Sequence, residues 1–187
     1  MTRRRQILLI VLLIVGDVSP ATQVRYPNEI PGFKFYKSAR WSAVEPMVTS
    51  QSEVFALLGK PKQVFYEAQS GWHFVILYIE SGGCYDGKPW ASSLTDKVAH
   101  VDLIPEDRVS MTGVSFPSVF TRDDQSSPHV DASWYSYKDV HGLEYHVFNE
   151  DSPDGSIRAG DLMEIVYGPS SRTYHSVTGC DEKEPPQ

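Results

Sequence analysis

The chain has 187 residues; 41% are hydrophobic, 12% aromatic and 22% charged, and only two are cysteines. These proportions are those of an ordinary globular domain. They exclude a collagen, a coiled coil, a disordered polymer and a cysteine-dense mini-protein. The net charge is −7, and no basic run follows the N-terminal region. We therefore expect no nucleic acid among the partners, because phosphate binding needs clustered Lys and Arg.

The N-terminus has the pattern of a signal peptide. Arginines at 3–5 precede nine consecutive apolar residues at 7–15, and Ser19 and Ala21 fit a cleavage site after Ala21. The apolar run is shorter than the roughly 20 residues that span a bilayer, although an uncleaved signal anchor is the alternative. We predict a secreted or periplasmic protein, with no membrane contact once the signal is cleaved. Its predicted parts are a signal peptide at 1–21, a single domain at 22–180 and a disordered acidic tail at 181–187.

Residues 22–48 have no hydrophobic period, and we predict an extended segment held to the body by its aromatic rings. A short helix follows. Ser50 and Glu53 form a capping box at its start, and Gly59, with a proline two residues later, ends it. The spacing i, i+3, i+4 predicts the buried face of this helix: Val54, Leu57 and Leu58.

The rest of the domain has the patterns of β-strands, with short turns that predict hairpins between the first and second strands and between the fourth and fifth. Two long stretches, 80–96 and 105–132, have no regular pattern and are predicted to be loops. A helix followed by an antiparallel series of strands predicts an α+β fold with two layers, in which a short N-terminal helix packs on an antiparallel β meander. The predicted strands are 63–68, 72–79, 98–104, 133–138, 143–148 and 162–167.

Two pairs of polar side chains are the best candidates for a chemical site. His100 and Asp102 share the polar face of one predicted strand, and Glu144 and His146 share that of another. If these strands are neighbours in matching register, two imidazoles and two carboxylates could surround a Zn²⁺ ion. The alternative is the solvated face of a half-buried antiparallel sheet. No spacing typical of a metal site accompanies the four residues, and we predict no cofactor.

The two cysteines, Cys84 and Cys180, both lie in predicted loops. Export would place them where thiols oxidise, and two cysteines allow only one intramolecular pairing. We predict that they pair and fasten the loop at 80–96 to the C-terminal end of the domain. Two free thiols, or a bridge between two chains, are the alternatives.

One aromatic residue is a candidate interface anchor. Trp90 lies in a polar stretch rich in Gly and Ser, and we expect its ring at the surface. Exposed Trp side chains are frequent anchors of protein interfaces. Most other aromatic rings are expected to fill or cover the core.

A series of short motifs runs through the domain: Ser50, Glu53-Val54, Leu57-Leu58-Gly59-Lys60-Pro61, Tyr78, Gly83-Cys84, Trp90, Gly142-Leu143, Tyr145, Ile165, Tyr167-Gly168-Pro169 and Cys180. Together these motifs resemble a family of small secreted bacterial proteins of unknown function. The helix-to-strand unit that ends in Leu-Leu-Gly-Lys-Pro is also similar, more distantly, to the fold of outer-membrane assembly lipoproteins and β-lactamase inhibitor proteins. Those relatives work by binding other proteins, which the resemblance implies for this chain, although no lipidation cysteine follows the apolar run.

Two classes of function follow from the sequence. The first is a non-enzymatic binding or scaffold domain that contacts a protein of the envelope or the extracellular space. The second is a small extracytoplasmic metal-dependent hydrolase built on His100, Asp102, Glu144 and His146. The sequence favours the first, because it contains no nucleophile elbow, no HExxH helix and no phosphate-binding glycine loop.

Overall fold

The computed structural model describes residues 29–38, 40–59, 64–67, 70–84, 86–127 and 132–180. The predicted signal peptide, its cleavage site and the acidic tail lie outside these residues. The domain boundaries at 22 and 180 therefore stay a prediction.

The described strands form one antiparallel sheet of seven strands in the order β1-β2-β3-β7-β6-β5-β4. The first three strands are one meander, the last four are another, and the pairing of β3 with β7 joins them. All pairs are antiparallel. The strands are β1 Val64–Glu67, β2 Trp72–Tyr78, β3 Val98–Pro105, β4 Thr121–Ser127, β5 Ala132–Lys138, β6 Leu143–Phe148 and β7 Leu162–Tyr167.

Three α-helices accompany the sheet: α1 Pro31–Ser38, α2 Gln51–Leu58 and α3 Ser171–Thr178. The predicted capping box of α2 is confirmed, since the Glu53 amide donates to the Ser50 hydroxyl and the Glu53 carboxylate accepts from the Ser50 amide. Two 3-10 helices, Arg40–Ala43 and Ser92–Leu94, complete the described helical elements. The predicted α+β class, with helices on an antiparallel sheet, is confirmed.

Aromatic side chains join the N-terminal helices to one face of the sheet, which we call the core face. Trp41 stacks on Phe74 of β2 with 4.4 Å between ring centroids, and Tyr36 of α1 packs against the same ring. A Cβ atom on Gly32 would lie 2.4 Å from the Trp72 ring, so glycine permits the close approach of α1 to β2. The result is a buried cluster that runs from these helices across the core face.

A second, smaller cluster lies under α3. Its buried members are Met47, Ile79 and Leu94, and Tyr174 and Val177 of α3 pack against them. The helix begins at an N-cap, where the Ser170 hydroxyl accepts from the Thr173 amide.

The structure corrects the expectation for residues 22–48 over the part of that range that it describes. Residues 31–38 form α1 rather than an extended segment, and a 3-10 helix follows. The helix was missed because its apolar stripe is short: only Gly32 and Tyr36 are buried in its eight residues. Pro31 at the first helical position was the available signal.

Leu57 was also predicted wrongly. Its side chain is 42% exposed, whereas Val54 and Leu58 are buried. In a helix of two turns the pair at i, i+4 faces the sheet, and the residue before Leu58 is rotated by about 100° away from it. Two further elements, β4 and α3, lie where the sequence predicted no regular structure.

Candidate functional site on the outer face of the sheet

The second face of the sheet, which we call the outer face, brings the predicted polar residues together. The register pairs Asp102 with Val166 and Val166 with Glu144, so these three residues form one row across β3, β7 and β6. A neighbouring row pairs Glu164 with His146 and His146 with Ser136. Paired residues of an antiparallel sheet lie on the same face.

The two predicted pairs are not on neighbouring strands. Strand β7 lies between β3 and β6, and its Glu164 is hydrogen-bonded to His146 and acts electrostatically on His100 and Asp102. The sequence reasoning missed Glu164, although a carboxylate within an otherwise apolar strand was a usable signal.

His146 is held between two carboxylates. Its Nδ1–H donates to Glu164 Oε1 and its Nε2–H donates to Glu144 Oε1, both at 2.8 Å. The side chain of His146 is 15% exposed, and those of Glu144 and Glu164 are 21% and 19% exposed. Ser136 donates a further hydrogen bond to the Glu144 carboxylate.

This arrangement favours an imidazolium flanked by carboxylates. Burial lowers the pKa of His146, but the hydrogen bonds to Glu144 and Glu164 outweigh it and raise that pKa to about 9. Burial likewise raises the pKa of Glu144, but its hydrogen bonds with His146 and Ser136 outweigh that effect and lower it to about 2. The charges of His146 and Glu144 are therefore fixed across the neutral range.

The pKa of Asp102 is shifted in the opposite direction to that of Glu144. Burial and the nearby Glu164 carboxylate raise the pKa of Asp102 to about 7. Its closest basic group is His100, whose Nε2 lies 3.5 Å from Asp102 Oδ1. Burial lowers the pKa of His100 and so weakens its ability to carry a compensating charge. Within the described ranges, Asp102 Oδ1 is buried without a hydrogen bond.

The expected zinc site is not formed. Among the residues that the structure describes, no group of three His, Cys, Asp or Glu side chains could hold a metal ion. The physical reason is that β7 separates the two predicted pairs and that carboxylates occupy both ring nitrogens of His146. The four residues instead belong to a network of carboxylates and imidazoles whose available chemistry is to hold or release protons.

An apolar strip adjoins the charged network. It consists of Val75, Leu77, Ile104 and Val166, each half-buried. None of the four belongs to the two hydrophobic clusters into which the described helices pack. In the part of the chain that the structure covers, the outer face thus carries apolar side chains that no helix buries.

Cys84 and Cys180 form an intramolecular disulfide, with 5.4 Å between their Cα atoms. The predicted pairing is confirmed, and the alternatives of free thiols and of a bridge between chains are excluded for this structure. The bridge joins the loop after β2 to the residue that follows the α3 C-cap.

Trp90 is more enclosed than the sequence predicted. Its ring is half-buried, packs edge-on against Tyr174 at 5.9 Å, and lies where a Cβ on Gly82 would be 2.1 Å away. Its indole nitrogen is buried. The ring joins the disulfide-linked loop to α3, and its role as an interface anchor stays a prediction.

Comparisons with known protein families, curated proteins and solved structures find no match. The resemblance noted in the sequence therefore stays a prediction. No helix in the described ranges has the length and apolar character needed to cross a membrane.

Proposed function

We propose that this chain is a secreted or periplasmic, non-enzymatic binding domain, and that the outer face of its sheet contacts a partner protein of the envelope or the extracellular space. The partner surface is one that combines apolar and basic side chains. The observation that carries the proposal is the strip of Val75, Leu77, Ile104 and Val166, which lies beside a network of carboxylates and is not buried by the described helices.

Two features support a location outside the cytoplasm. The disulfide between Cys84 and Cys180 is of a kind that persists in oxidising compartments and is rare in the cytosol. The signal-peptide pattern at 1–21 points the same way.

The apolar strip supports a contact surface because its side chains lie beside charged ones and belong to neither hydrophobic cluster that the described helices bury. The register places Val75 opposite Asp102, and Asp102 opposite Val166, so apolar and charged groups alternate across the strands. Such mixed surfaces are typical of interfaces that form and dissociate.

Charge supports a basic partner. Three carboxylates, those of Asp102, Glu144 and Glu164, face one imidazolium, that of His146, and Lys138 approaches Glu144 only from the rim at 3.8 Å. The whole chain carries a net charge of −7. Complementary potentials steer association and exclude partners of like charge. The hydrolase is not proposed, because no described group of residues provides its metal ligands.

Site-specific photo-cross-linking tests the proposal. The full chain is exported from cells of its own organism with p-benzoylphenylalanine in place of Ile104 or Leu77. Matched control chains carry the probe at Val119 or Val140, which are apolar residues 55% and 60% exposed but outside the outer face. We expect one recurring adduct from the two outer-face positions and none from the controls.

The cross-linked segment of the partner decides the chemistry. A segment that contains Lys or Arg beside apolar residues supports the proposal. Equal adducts from all four positions, no adduct from Ile104 and Leu77, or a segment rich in Asp and Glu would contradict it.

A further inference from the structure

We propose that Asp102 is a proton switch on the outer face: it is neutral when protonated, and on ionisation it adds the negative charge that a basic partner contacts. The inference rests on the proposed function and adds its regulation, since a proton and the basic partner would compete for the same carboxylate.

The position of Asp102 in the sheet makes it suited to this role. It lies on β3 between Val75 of β2 and Val166 of β7, so both directly opposed side chains are apolar. Its side chain is 15% exposed, and its Oδ1 atom is buried without a hydrogen bond among the described residues. An ionised carboxylate in such surroundings is costly unless a cation pairs with it.

The neighbouring charges do not supply that cation. From β7 the Glu164 carboxylate opposes ionisation of Asp102, and from β6 the Glu144 carboxylate does the same while His146 favours it. The His146 imidazolium is already hydrogen-bonded to both glutamates, and Lys138 of β5 pairs with Glu144.

The remaining imidazoles complete the surroundings. His100, on the same strand, is 3.5 Å from Asp102, and burial lowers the pKa of its imidazole. His73 of β2 pairs with Ile104, the outer-face residue next to Asp102 on β3, and makes interactions of its own.

Proton uptake is therefore assigned to Asp102 rather than to the central network. Burial and Glu164 raise its pKa to about 7, whereas the His146 pKa of about 9 and the Glu144 pKa of about 2 keep those two groups charged near neutrality. Between mildly acidic and mildly alkaline conditions the outer face gains one negative charge.

The consequence for binding follows from linkage. If a basic partner contacts only the ionised form, the apparent dissociation constant equals the intrinsic constant divided by the ionised fraction. With a pKa of about 7 that fraction rises about tenfold between pH 6 and pH 8, so binding should strengthen about tenfold. Above pH 8 it should change little further through this group.

The test measures protonation and binding separately. Carboxyl ¹³C NMR of the oxidised chain from pH 4 to pH 9, with Asp102→Asn for assignment, reports the titration of Asp102 without any partner. The adduct yield from the probe at Ile104 is then measured at pH 6 and pH 8 in the wild-type background, in Asp102→Asn and in Asp123→Asn. The last variant removes an exposed carboxylate of β4 that pairs in register with Ser136.

Each outcome supports or overturns one part of the proposal. Titration of Asp102 near pH 7, with an adduct yield that rises from pH 6 to pH 8 in the wild type and Asp123→Asn but not in Asp102→Asn, supports the switch. Titration below pH 5 overturns it whether or not a partner is found. Titration near pH 7 with a yield independent of pH overturns the competition and leaves the binding surface standing. The absence of an outer-face adduct at either pH overturns the proposed function, and with it the regulation of binding, while the titration still shows whether Asp102 takes up a proton.

Discussion

At the residue scale, His146 and Asp102 show how one sheet face raises two pKa values for different reasons. Hydrogen bonds to two carboxylates favour the charged form of His146, whereas burial beside carboxylates favours the neutral form of Asp102. A group whose pKa rises on folding binds its proton more tightly in the native state. For the histidine the retained proton completes ion pairs, and for the aspartate it removes an unpaired buried charge.

The first prediction concerns Asp102→Asn. The pKa of Asp102 is raised on folding, so ionisation destabilises the native state progressively as pH rises from about 4 to about 7. We expect the variant to match the wild type at pH 4 and to be more stable at pH 8, by on the order of 2–4 kcal/mol. Urea titrations at the two pH values measure the difference. A variant that is less stable than the wild type at pH 8 would show that the carboxylate is well paired.

The second prediction concerns His146→Gln. The pKa of His146 is raised from 6.5 to about 9, so its stabilisation is fully present below pH 6.5 and is lost as pH rises through about 9. We expect the variant to lose about 1.5–3 kcal/mol at pH 6, typical of hydrogen bonds to charged groups, and less at pH 9.5. His141→Gln, at an exposed turn position, is the matched control and should change stability little at either pH. A loss for His146→Gln that is the same at both pH values would contradict the charged state.

At the scale of elements, local signals in the sequence identified those elements that have clear caps or alternation. The capping box of α2 and the alternation in β6 are local features, and the structure confirms them. In β3 the alternation holds from Val101 onward, after a register shift that leaves Val98 rather than Ala99 buried. The sequence TRDDQSS of β4 has no apolar alternation, since β4 is an edge strand paired on one side only. Its formation depends on pairing with β5, which no local pattern reveals.

In the candidate site, too, only the local features could be predicted from the sequence. Alternation placed His100 with Asp102 and Glu144 with His146, but the insertion of β7 between β3 and β6 is a long-range property of the topology. Register across the strands places Glu164 of β7 opposite His146, where its carboxylate accepts a hydrogen bond from that imidazole. Helix α3 was missed although Ser170 and Gly179 are ordinary cap residues, because its apolar positions are few.

The third prediction concerns helix α2. Ser50→Ala removes the N-cap hydrogen bond and should cost about 0.5–2 kcal/mol. Leu58→Ala removes a buried side chain of the main cluster and should cost about 2–5 kcal/mol. Leu57→Ala is the control on the exposed side and should cost less than Leu58→Ala. Denaturant titrations that give equal losses for the two leucines would contradict the orientation of the helix.

At the scale of the whole molecule, one sheet separates two environments. The core face carries the helices and the main hydrophobic cluster, while the outer face carries the charged network and the uncovered apolar strip. The disulfide fastens α3 and the loop of Trp90 over the second cluster at one end. The fold therefore has a covalently fastened end and a separate outer face, which we propose as the binding surface.

The fourth prediction concerns the disulfide. Its cysteines are 96 positions apart, and the chain-entropy model for a loop of that size gives a stabilisation of up to about 4–5 kcal/mol. We expect the double variant Cys84→Ser, Cys180→Ser to lose up to this amount and the reduced wild-type protein to match it in urea titrations. The intact mass of the unreduced protein should be two hydrogens below that of the dithiol. Two alkylatable thiols in freshly exported protein would contradict the bridge.

The outer face is proposed as the binding surface. The ratio of photo-adducts from Ile104 and Val140, measured in the same exporting cells, tests this most directly. Ile104 is half-buried on the outer face, and Val140 is 60% exposed in the turn between β5 and β6. Exposure alone would favour Val140. We expect an adduct from Ile104 with a segment that carries Lys or Arg, and none from Val140. An adduct from Val140 alone, or equal adducts from both, would contradict it.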